Sequence, residues 1–415
     1  MGIAALCLLA LSMLPAFADP SGGMPAVNDP DFVVKRYVAG IPNSPTTMAF
    51  VGDGDILVLQ KTDGQVRLIR DGVLQARPML DANVANTGEQ GMLGIASVGS
   101  QVYLYFSESN ADGQSALGRR VYRYDWTGSA LQNPVLVRDM NLTQFYHNGG
   151  GMAVAPDGTV YVVVGDAGRY GQLQNWGSEF YPDTSSIIPV APTGPYYAIG
   201  VRNSFGLAFD PYTGRMWDTE NGNDTFDEIN MVEPYSNSGW YAVMGPVNQT
   251  QLAKVGYKNY TYSDPEFAWE QPVAPTGLAF VEPGPLGKFA GSLFVGDCNN
   301  GNLYRFRLND SRDGLALDGP LSDGIAGTGE SQEGIIFGTG FGCISDVETG
   351  PDGLLYLVSL SEGTIFRVEP RNYTAQAPPD TMMMAAAAYP AVAAGGVAAA
   401  AIAYAVVLLR RRRMM

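Results

Sequence analysis

The feature of this sequence that most constrains its fold is a pair of short strands joined by a turn, which recurs six times. Each copy has an apolar strand, a turn built on Gly, Asp or Pro, and a second strand of alternating aromatic and β-branched residues. The copies begin at Met48, Gly91, Gly151, Phe205, Thr276 and Ser345. The turns are spaced about 46 to 77 residues apart, counted between Gly54, Ser100, Gly158, Gly214, Gly291 and Gly353. This spacing suits a four-stranded blade with its loops.

The repeats predict an all-β, six-bladed β-propeller over residues 32–370. A pair of β-sandwich domains is the alternative, because sandwiches also contain short strands and turns. A sandwich would not repeat one strand-turn-strand phrase six times, so the propeller is favoured. In a propeller the strands fill the space between blades, and function concentrates in the loops around the central channel.

Two apolar segments stand outside the repeats. Residues 1–18 end in a small-x-small pattern and predict a secretory signal peptide. Residues 382–409 contain no charged residue and are followed by an Arg-rich tail, 410–415, which predicts a transmembrane helix with a cytoplasmic tail. A removable lipid-anchor signal is the alternative, which the closing arginines disfavour. With residues 371–381 as a linker, the predicted location is the cell membrane, in single-pass form, with the propeller on the extracellular side.

The charge of the chain narrows the range of partners. Its 41 acidic and 25 basic residues give a formal net charge of -16, so no nucleic-acid partner is expected. The single histidine excludes a His-rich zinc or copper site, and a hard cation held by oxygens is the metal that the composition favours. Glycosylation sequons in the predicted outward segment give modest support for export and begin at Asn141, Asn223, Asn248, Asn259, Asn309 and Asn372.

Four loops carry residues that neither turns nor packing explain. They read GEQGMLGIA from Gly88, YHNGGGMAVAPDG from Tyr146, AIGVRNSFGLAFDP from Ala198 and TENGNDTFDEINMVEP from Thr219. In this order, on successive repeats, they resemble the glucose/sorbosone dehydrogenase family of soluble quinoprotein sugar dehydrogenases. The resemblance covers residues from about Phe32 to Pro370. It implies a six-bladed propeller that uses pyrroloquinoline quinone (PQQ) and calcium to oxidise a sugar or alcohol, with an external electron acceptor.

The resemblance assigns catalytic roles to two residues. His147 matches the base that takes the proton of the sugar hydroxyl while a hydride passes to the quinone, and Asp166 matches the acid that orients this histidine. Imidazole suits this task because it exchanges protons near neutral pH. The alternatives are a loop-capping role for His147 and a simple turn role for Asp166.

The resemblance also implies binding residues. Gln90, Arg202 and Asn203 match positions that contact the quinone, and the carbonyls of Gly222 and Asn223 match calcium ligands. Arg202 suits a planar anion because its guanidinium donates two parallel hydrogen bonds. An ion pair between Arg202 and Asp227 or Glu228 is the alternative, and those two acids could equally organise the loop.

Three positions depart from the family pattern. Where the family neutralises the three carboxylates of PQQ with basic residues, this chain has Asn299, Cys343 and Ser345. At about 1.5–3 kcal/mol for each hydrogen bond to a charged group, the loss of three would weaken cofactor binding greatly unless other residues compensate. Because Cys298 and Cys343 both fall at these altered loops, the resemblance also predicts a disulfide between them.

Three hypotheses of function follow. The first is a PQQ-dependent sugar or alcohol dehydrogenase with His147 as base. The second is a non-catalytic propeller of the same family that binds a glycan or protein partner at the cell surface, which the missing cations favour. The third, a calcium-dependent hydrolase on a six-bladed propeller, requires a central cluster of acidic and amide side chains, and the four loops match it less well.

Overall fold

A computed structural model describes residues 23–52, 54–169, 182–256 and 259–374. The predicted signal peptide, 1–18, and the predicted spanning helix and tail, 382–415, lie outside the described residues, as does the predicted linker from residue 375 onward. One compact unit ends at Arg371, and a second begins at Asn372.

The described residues fold mainly into β-strands. The first fourteen are β1 Ala26–Val27, β2 Phe32–Ala39, β3 Pro45–Val51, β4 Asp55–Gln60, β5 Gln65–Arg70, β6 Val73–Asp81, β7 Met92–Val98, β8 Gln101–Ser109, β9 Ala116–Trp126, β10 Leu131–Met140, β11 Met152–Val154, β12 Val160–Val164, β13 Ser186–Ala191 and β14 Ala198–Ile199.

The second half of the chain continues the pattern. Its strands are β15 Gly206–Phe209, β16 Met216–Glu220, β17 Asp227–Val232, β18 Ser236–Asn237, β19 Thr261–Tyr262, β20 Phe267–Trp269, β21 Pro275–Phe280, β22 Leu293–Asp297, β23 Leu303–Phe306, β24 Ile325–Ala326, β25 Ile336–Thr339, β26 Ile344–Thr349, β27 Leu355–Ser359 and β28 Thr364–Pro370. The helices are α1, Gln249–Leu252, and two 3₁₀ helices, Gly287–Phe289 and Gly319–Asp323.

Within the described residues these strands form six sheets. Three have four strands, in the orders β3-β4-β5-β6, β10-β9-β8-β7 and β2-β28-β27-β26. Two have five, in the orders β15-β16-β17-β20-β24 and β1-β25-β23-β22-β21. The remaining sheet, β11-β12-β13-β14-β18-β19, has six, and its last two pairings are parallel. The sheets are therefore less regular than six equal four-stranded blades, because several take up extra two-residue strands from long loops.

The innermost strands of the sheets form a closed ring. Each contacts the next in the order β3, β7, β11, β15, β21 and β26, and β26 contacts β3 again. Apolar side chains of neighbouring sheets pack between the blades, as where Leu57 and Leu59 of β4 meet Leu104 and Phe106 of β8. The predicted all-β propeller is confirmed.

The two ends of the propeller are held in one sheet. Strand β2, near the start of the described chain, pairs antiparallel with β28, near its end, from Phe32 opposite Pro370 to Ala39 opposite Thr364. This pairing closes the ring with backbone hydrogen bonds, so neither strand is left with an unpaired edge at that seam.

Glycines allow the inner strands to approach one another closely. A Cβ atom on Gly94 would lie 2.2 Å from the carbonyl oxygen of Gly150, and one on Gly206 would lie 2.1 Å from that of Thr276. On Gly277 it would lie 2.4 Å from the backbone nitrogen of Val347. These contacts join neighbouring inner strands, so the glycines are required by space rather than by a left-handed backbone.

The predicted membrane location must be corrected. The described part of the chain contains no helix with the length and apolar character needed to cross a bilayer, and its α-helix has four residues. This finding overturns the predicted single-pass location at the cell membrane. The prediction was based on hydropathy in residues 382–409, which lie outside the described ranges.

The spacing of the inner strands is testable at Gly206. We expect Gly206→Ala to lower the free energy of unfolding by about 1–3 kcal/mol, because the added methyl group collides with a backbone oxygen that cannot rotate away. Gly334→Ala is the matched control, since a Cβ atom there meets nothing within 4 Å. Urea denaturation measures both, and equal stability of the two variants would contradict this account of the ring.

Candidate active site

A cavity of about 550 Å³ opens at one end of the ring of inner strands. It lies at the N-terminal ends of these strands, where Thr46 of β3, Leu93 of β7 and Thr276 of β21 contribute to its wall. A second cavity, of about 340 Å³, is lined by the C-terminal halves of the same strands. His147 and Arg202 line the first cavity, whose volume is in the range of small-molecule sites.

His147 lies on the loop between β10 and β11 and is held by Asp166, which follows β12. The Nδ1 atom of His147 is 2.5 Å from Oδ1 of Asp166. The histidine side chain is 15% exposed, whereas that of Asp166 is fully buried. The backbone of His147 is left-handed, with φ of 47°, and the glycines that follow let the loop turn sharply into β11.

Asp166 is held in its ionised form by its partners. Burial raises its pKa, but hydrogen bonds from His147, the Trp240 indole and the backbone of Gly168 outweigh this effect and lower the pKa overall. An ionised carboxylate can only accept hydrogen bonds, so the neutral imidazole of His147 carries its proton on Nδ1. Its Nε2 therefore keeps the lone pair needed to accept a proton.

Two residues that the sequence did not single out hold the His147 loop. The guanidinium of Arg119, which is buried, donates to the carbonyl oxygens of Gln144 at 2.9 Å and of Tyr146 at 3.3 Å. The hydroxyl of Tyr105 donates to the carbonyl of Asn148 at 2.7 Å. Tyr105 lies on β8 and Arg119 lies on β9, and the sequences of these strands gave no sign of a role in the site.

Asn203 and Glu89 hold the other side of this loop. Asn203 accepts from the backbone N–H of Gly149 at 3.1 Å and donates to Glu89 at 3.2 Å. Glu89 in turn accepts from the N–H of Asn148 at 3.0 Å. The side chains of Asn203 and Glu89 line the cavity.

The structure places Gln90 differently from the sequence prediction. Its side chain is buried and donates to the carbonyl oxygens of Thr143 and Gln144, and it is not part of the cavity wall. Glu89 faces the cavity instead. Both residues lie in the turn that precedes β7, where the backbone N–H of Gln90 donates to the carbonyl of Thr87 at 3.1 Å.

Arg202 presents its charge to the cavity. Its guanidinium donates to the carbonyl of Asn221 at 2.8 Å and lies 3.4 Å from Oδ1 of Asn223. Within the described ranges it forms no direct ion pair, so the structure does not support the predicted alternative of pairing with Asp227 or Glu228. Its positive charge is available to an anionic ligand.

Asp227 organises the loop that contains the predicted calcium ligands. It accepts from the backbone N–H groups of Gly222, Val273 and Ala274, each at 2.7 Å. Gly222 lines the cavity, whereas Asn223 is exposed. The described residues contain no cluster of three His, Cys, Asp or Glu side chains that could hold a metal ion. Backbone oxygens therefore remain the candidate ligands in this loop.

Cys298 and Cys343 are joined by a disulfide in this structure, and both line the cavity. The bond connects the loop after β22 with the segment that leads into β26. Asn299 and Ser345 line the same part of the wall. Neutral groups therefore form this side of the cavity.

The comparison of the whole chain with known protein families decides its membership. A sequence model of the family described as Glucose / Sorbosone dehydrogenase matches residues 42–367. The chain belongs to the glucose/sorbosone dehydrogenase family.

Relatives of known name fall in the same family. The aldose sugar dehydrogenase YliI of Escherichia coli is 24% identical over 353 residues, which cover 79% of this chain and 90% of the relative. The PQQ-bound aldose sugar dehydrogenase of Streptomyces coelicolor is 25% identical, with a TM-score of 0.61, and the match covers 83% of this chain and 99% of that structure. A putative oxidoreductase (glucose dehydrogenase) from Thermus thermophilus, also 25% identical, has a TM-score of 0.64, and the match covers 81% of this chain and 99% of that structure.

Lys61 and Arg202 bring positive charge to the cavity wall. The three neutral positions lie near the disulfide, but Lys61, on the loop between β4 and β5, lines the cavity together with Arg202. The Lys61 ammonium donates to the carbonyl of Gly88 at 2.8 Å, which leaves two of its three donors for other partners. Burial lowers the pKa of Lys61, and the charge of Glu89 opposes this shift.

Two neighbouring carboxyl groups, Asp346 and Glu348, lie in the channel beyond the cavity. Asp346 of β26 accepts from the backbone N–H groups of Met48 at 2.8 Å and Val347 at 3.0 Å. Burial raises the pKa of Asp346 to about 7, although these two N–H groups oppose the shift. Burial and the charge of Asp346 raise the pKa of Glu348 well above its usual value.

The raised pKa of Asp346 predicts how stability depends on pH. Because the unfolded chain releases this proton near pH 4, the folded state holds more protons between about pH 4 and 7. The contribution of Asp346 to the free energy of unfolding is therefore fully present below about pH 4 and is lost as the pH rises through about 7.

We expect Asp346→Asn to flatten the decline of the free energy of unfolding between about pH 4 and 7, measured by urea denaturation in EDTA. Asp318→Asn, at a side chain that is 86% exposed, should keep the wild-type slope; an unchanged slope in Asp346→Asn would contradict the assignment.

Proposed function

We propose that this protein is a PQQ-dependent dehydrogenase that oxidises an aldose sugar or a related alcohol, with His147 as the base. The observation that carries the proposal is the 2.5 Å contact between His147 Nδ1 and Asp166, which leaves Nε2 as a proton acceptor beside a ligand-sized cavity. The six sheets, taken as six blades over residues 32–370, form the scaffold of this site.

The family supports this chemistry. The relative from E. coli is an aldose sugar dehydrogenase, and that from S. coelicolor has the same name and contains PQQ. We therefore expect a small-molecule sugar substrate, with an external acceptor that removes the electrons afterwards.

The lining of the cavity fits PQQ with fewer charges than the family pattern has. Arg202 would hold a carboxylate of the cofactor, because its guanidinium faces the cavity. Among the described residues it forms no direct ion pair, and its buried Nε has no partner there. Lys61 would hold a second carboxylate, and Asn299 offers an amide N–H. When bound, PQQ supplies a two-electron acceptor for a hydride.

His147 performs the proton transfer in this proposal. Its Nε2 accepts the proton of the substrate hydroxyl as a hydride leaves the carbon that bears this hydroxyl. The imidazole becomes positively charged in this step, and the ionised Asp166 stabilises that charge while keeping the ring in its orientation. A positioned base of this kind contributes about 10²- to 10⁴-fold to a rate.

Calcium is part of the proposal through the loop between β16 and β17. The backbone oxygens of Gly222 and Asn223 are suitable ligands for a hard cation. Asp227 supports this assignment because it fixes the loop through the N–H of Gly222.

A second candidate is a non-catalytic propeller that binds a glycan or protein partner at the same cavity. The neutral wall formed by Asn299, Ser345 and the disulfide favours it, since these positions lack the cations of the family pattern. The two candidates differ in one property, which is the binding of PQQ.

The proposal predicts that the purified protein binds PQQ with calcium at micromolar concentration and reduces a dye in the presence of an aldose. We expect His147→Asn to retain PQQ binding and to lower kcat by about 10²- to 10⁴-fold. Absorbance titration and dye reduction over a panel of sugars and alcohols measure these properties. Wild-type protein that binds no PQQ would contradict the proposal and leave the second candidate.

Lys61 provides a separate prediction on cofactor affinity. We expect Lys61→Met to raise the Kd for PQQ by about tenfold or more, because it removes one hydrogen bond to a charged group. Lys288→Met is the matched control, since Lys288 pairs with Asp29 and Asp31 away from the cavity. Equal Kd values for the two variants would show that Lys61 does not replace a lost cation.

A further inference from the structure

Trp240 contacts both the carboxylate that holds the proposed base and one of the cations of the cavity wall, Arg202. It follows β18 in the chain, and its side chain is buried, with 3% exposed. Its indole N–H donates to Oδ2 of Asp166 at 2.7 Å, while Oδ1 of the same carboxylate faces His147.

The two oxygens of Asp166 therefore have different partners. Oδ1 accepts from His147 and from the backbone N–H of Gly168 at 2.8 Å, and Oδ2 accepts from Trp240. A carboxylate with a donor fixed at each oxygen cannot rotate without breaking a hydrogen bond in a buried site, where an unpaired charged oxygen is costly. Trp240 thus determines which way Asp166 faces.

The ring of Trp240 also supports Arg202. The guanidinium carbon of Arg202 lies 5.2 Å from the ring centroid, within the range of a cation–π contact. The backbone N–H of Trp240 donates to the carbonyl of Gly200 at 3.0 Å, close to Arg202 in sequence. One side chain therefore connects the acid behind the base with the cation that would hold the cofactor.

A second tryptophan, Trp217, shows that a buried indole N–H does not need a hydrogen bond such as the one from Trp240 to Asp166 in this fold. Trp217 is fully buried, yet its indole N–H has no hydrogen-bond partner among the residues that the structure describes. A tryptophan can therefore serve purely as packing in this propeller, and the aim of the Trp240 N–H at Asp166 is a specific feature of the site.

We infer that Trp240 is a positioning residue for the reaction: its indole N–H orients Asp166 so that His147 keeps its proton on Nδ1 and presents Nε2 to the substrate. The inference rests on the proposed function only in naming His147 as the base. The orientation of the imidazole itself is a property of the protein without cofactor or substrate.

The single histidine of the chain makes the inference directly measurable. In ¹⁵N-histidine-labelled protein without cofactor, the two ring nitrogens of His147 report the tautomer without further assignment. We expect wild-type protein to show the Nδ1–H form, and Trp240→Phe to show a mixture of both tautomers.

In the PQQ-loaded enzyme, Trp240→Phe should lower kcat by about tenfold, while KM for the aldose changes little. This loss is part of the roughly 10²- to 10⁴-fold that a positioned base supplies.

Trp217→Phe is the matched control. It removes an equally buried indole that does not touch Asp166, so it should keep the wild-type tautomer even if it lowers stability. A folded Trp240→Phe variant with the wild-type tautomer would overturn the inference. Wild-type protein that shows this tautomer but binds no PQQ would refute the proposed function and leave the positioning role intact.

A second measurement on unmodified protein covers the case in which Trp240→Phe does not fold. In ¹⁵N-tryptophan-labelled protein, the indole N–H of Trp240 should resonate downfield of that of Trp217, because it donates to a buried carboxylate. A Trp240 indole signal no further downfield than that of Trp217 would contradict the inference.

Discussion

The close approach of the inner strands is the constraint on which the other features of this protein depend. Where Gly206 and Gly277 face neighbouring backbones, the strands come so near that a methyl group would not fit. The ring that results brings the N-terminal ends of six strands to one cavity, and every loop with a chemical role enters at that end. The pairing of β2 with β28 completes the ring. The positions of the site residues are thus consequences of backbone packing.

The chemistry of the cavity depends on one buried charge, the carboxylate of Asp166, and on the donors that hold it. Asp166 is shielded from water, but three donors keep it ionised, and this fixes the proton of His147 on Nδ1. Around this pair, the guanidinium of Arg119 and the carboxylate of Glu89 bind backbone groups of the same loop. Water would compete poorly for such contacts, so the loop is held in one conformation before any ligand arrives.

The sequence was informative where a feature repeats or where a residue type is rare. Six recurrences predicted the all-β propeller. A single histidine in a glycine-rich loop made His147 the candidate base, and the structure places it beside Asp166 at the cavity. The direction of a side chain within a turn was less accessible: Gln90 was predicted to contact the cofactor, but Glu89 lines the cavity and Gln90 is buried behind it. Trp240 was missed because its role depends on a contact across 74 residues, which no local pattern records.

Two other predictions show what sequence composition alone does not reveal. The membrane location was inferred from hydropathy in a segment outside the described residues, and the described part of the chain has no helix that could span a bilayer. The sequence predicted a loss of charge at Asn299, Cys343 and Ser345, but it did not show that Lys61 enters the same cavity from another blade. The position of Lys61 is visible only once the loops are placed around the ring.

The proposed function requires that PQQ binds in the cavity beside the His147–Asp166 pair. A crystal structure of the protein grown with PQQ and calcium tests it most directly. We predict electron density for PQQ inside the cavity, in contact with Arg202 and beside His147. Density for PQQ at another surface, or a cavity that stays empty of it at saturating concentration, would contradict the claim.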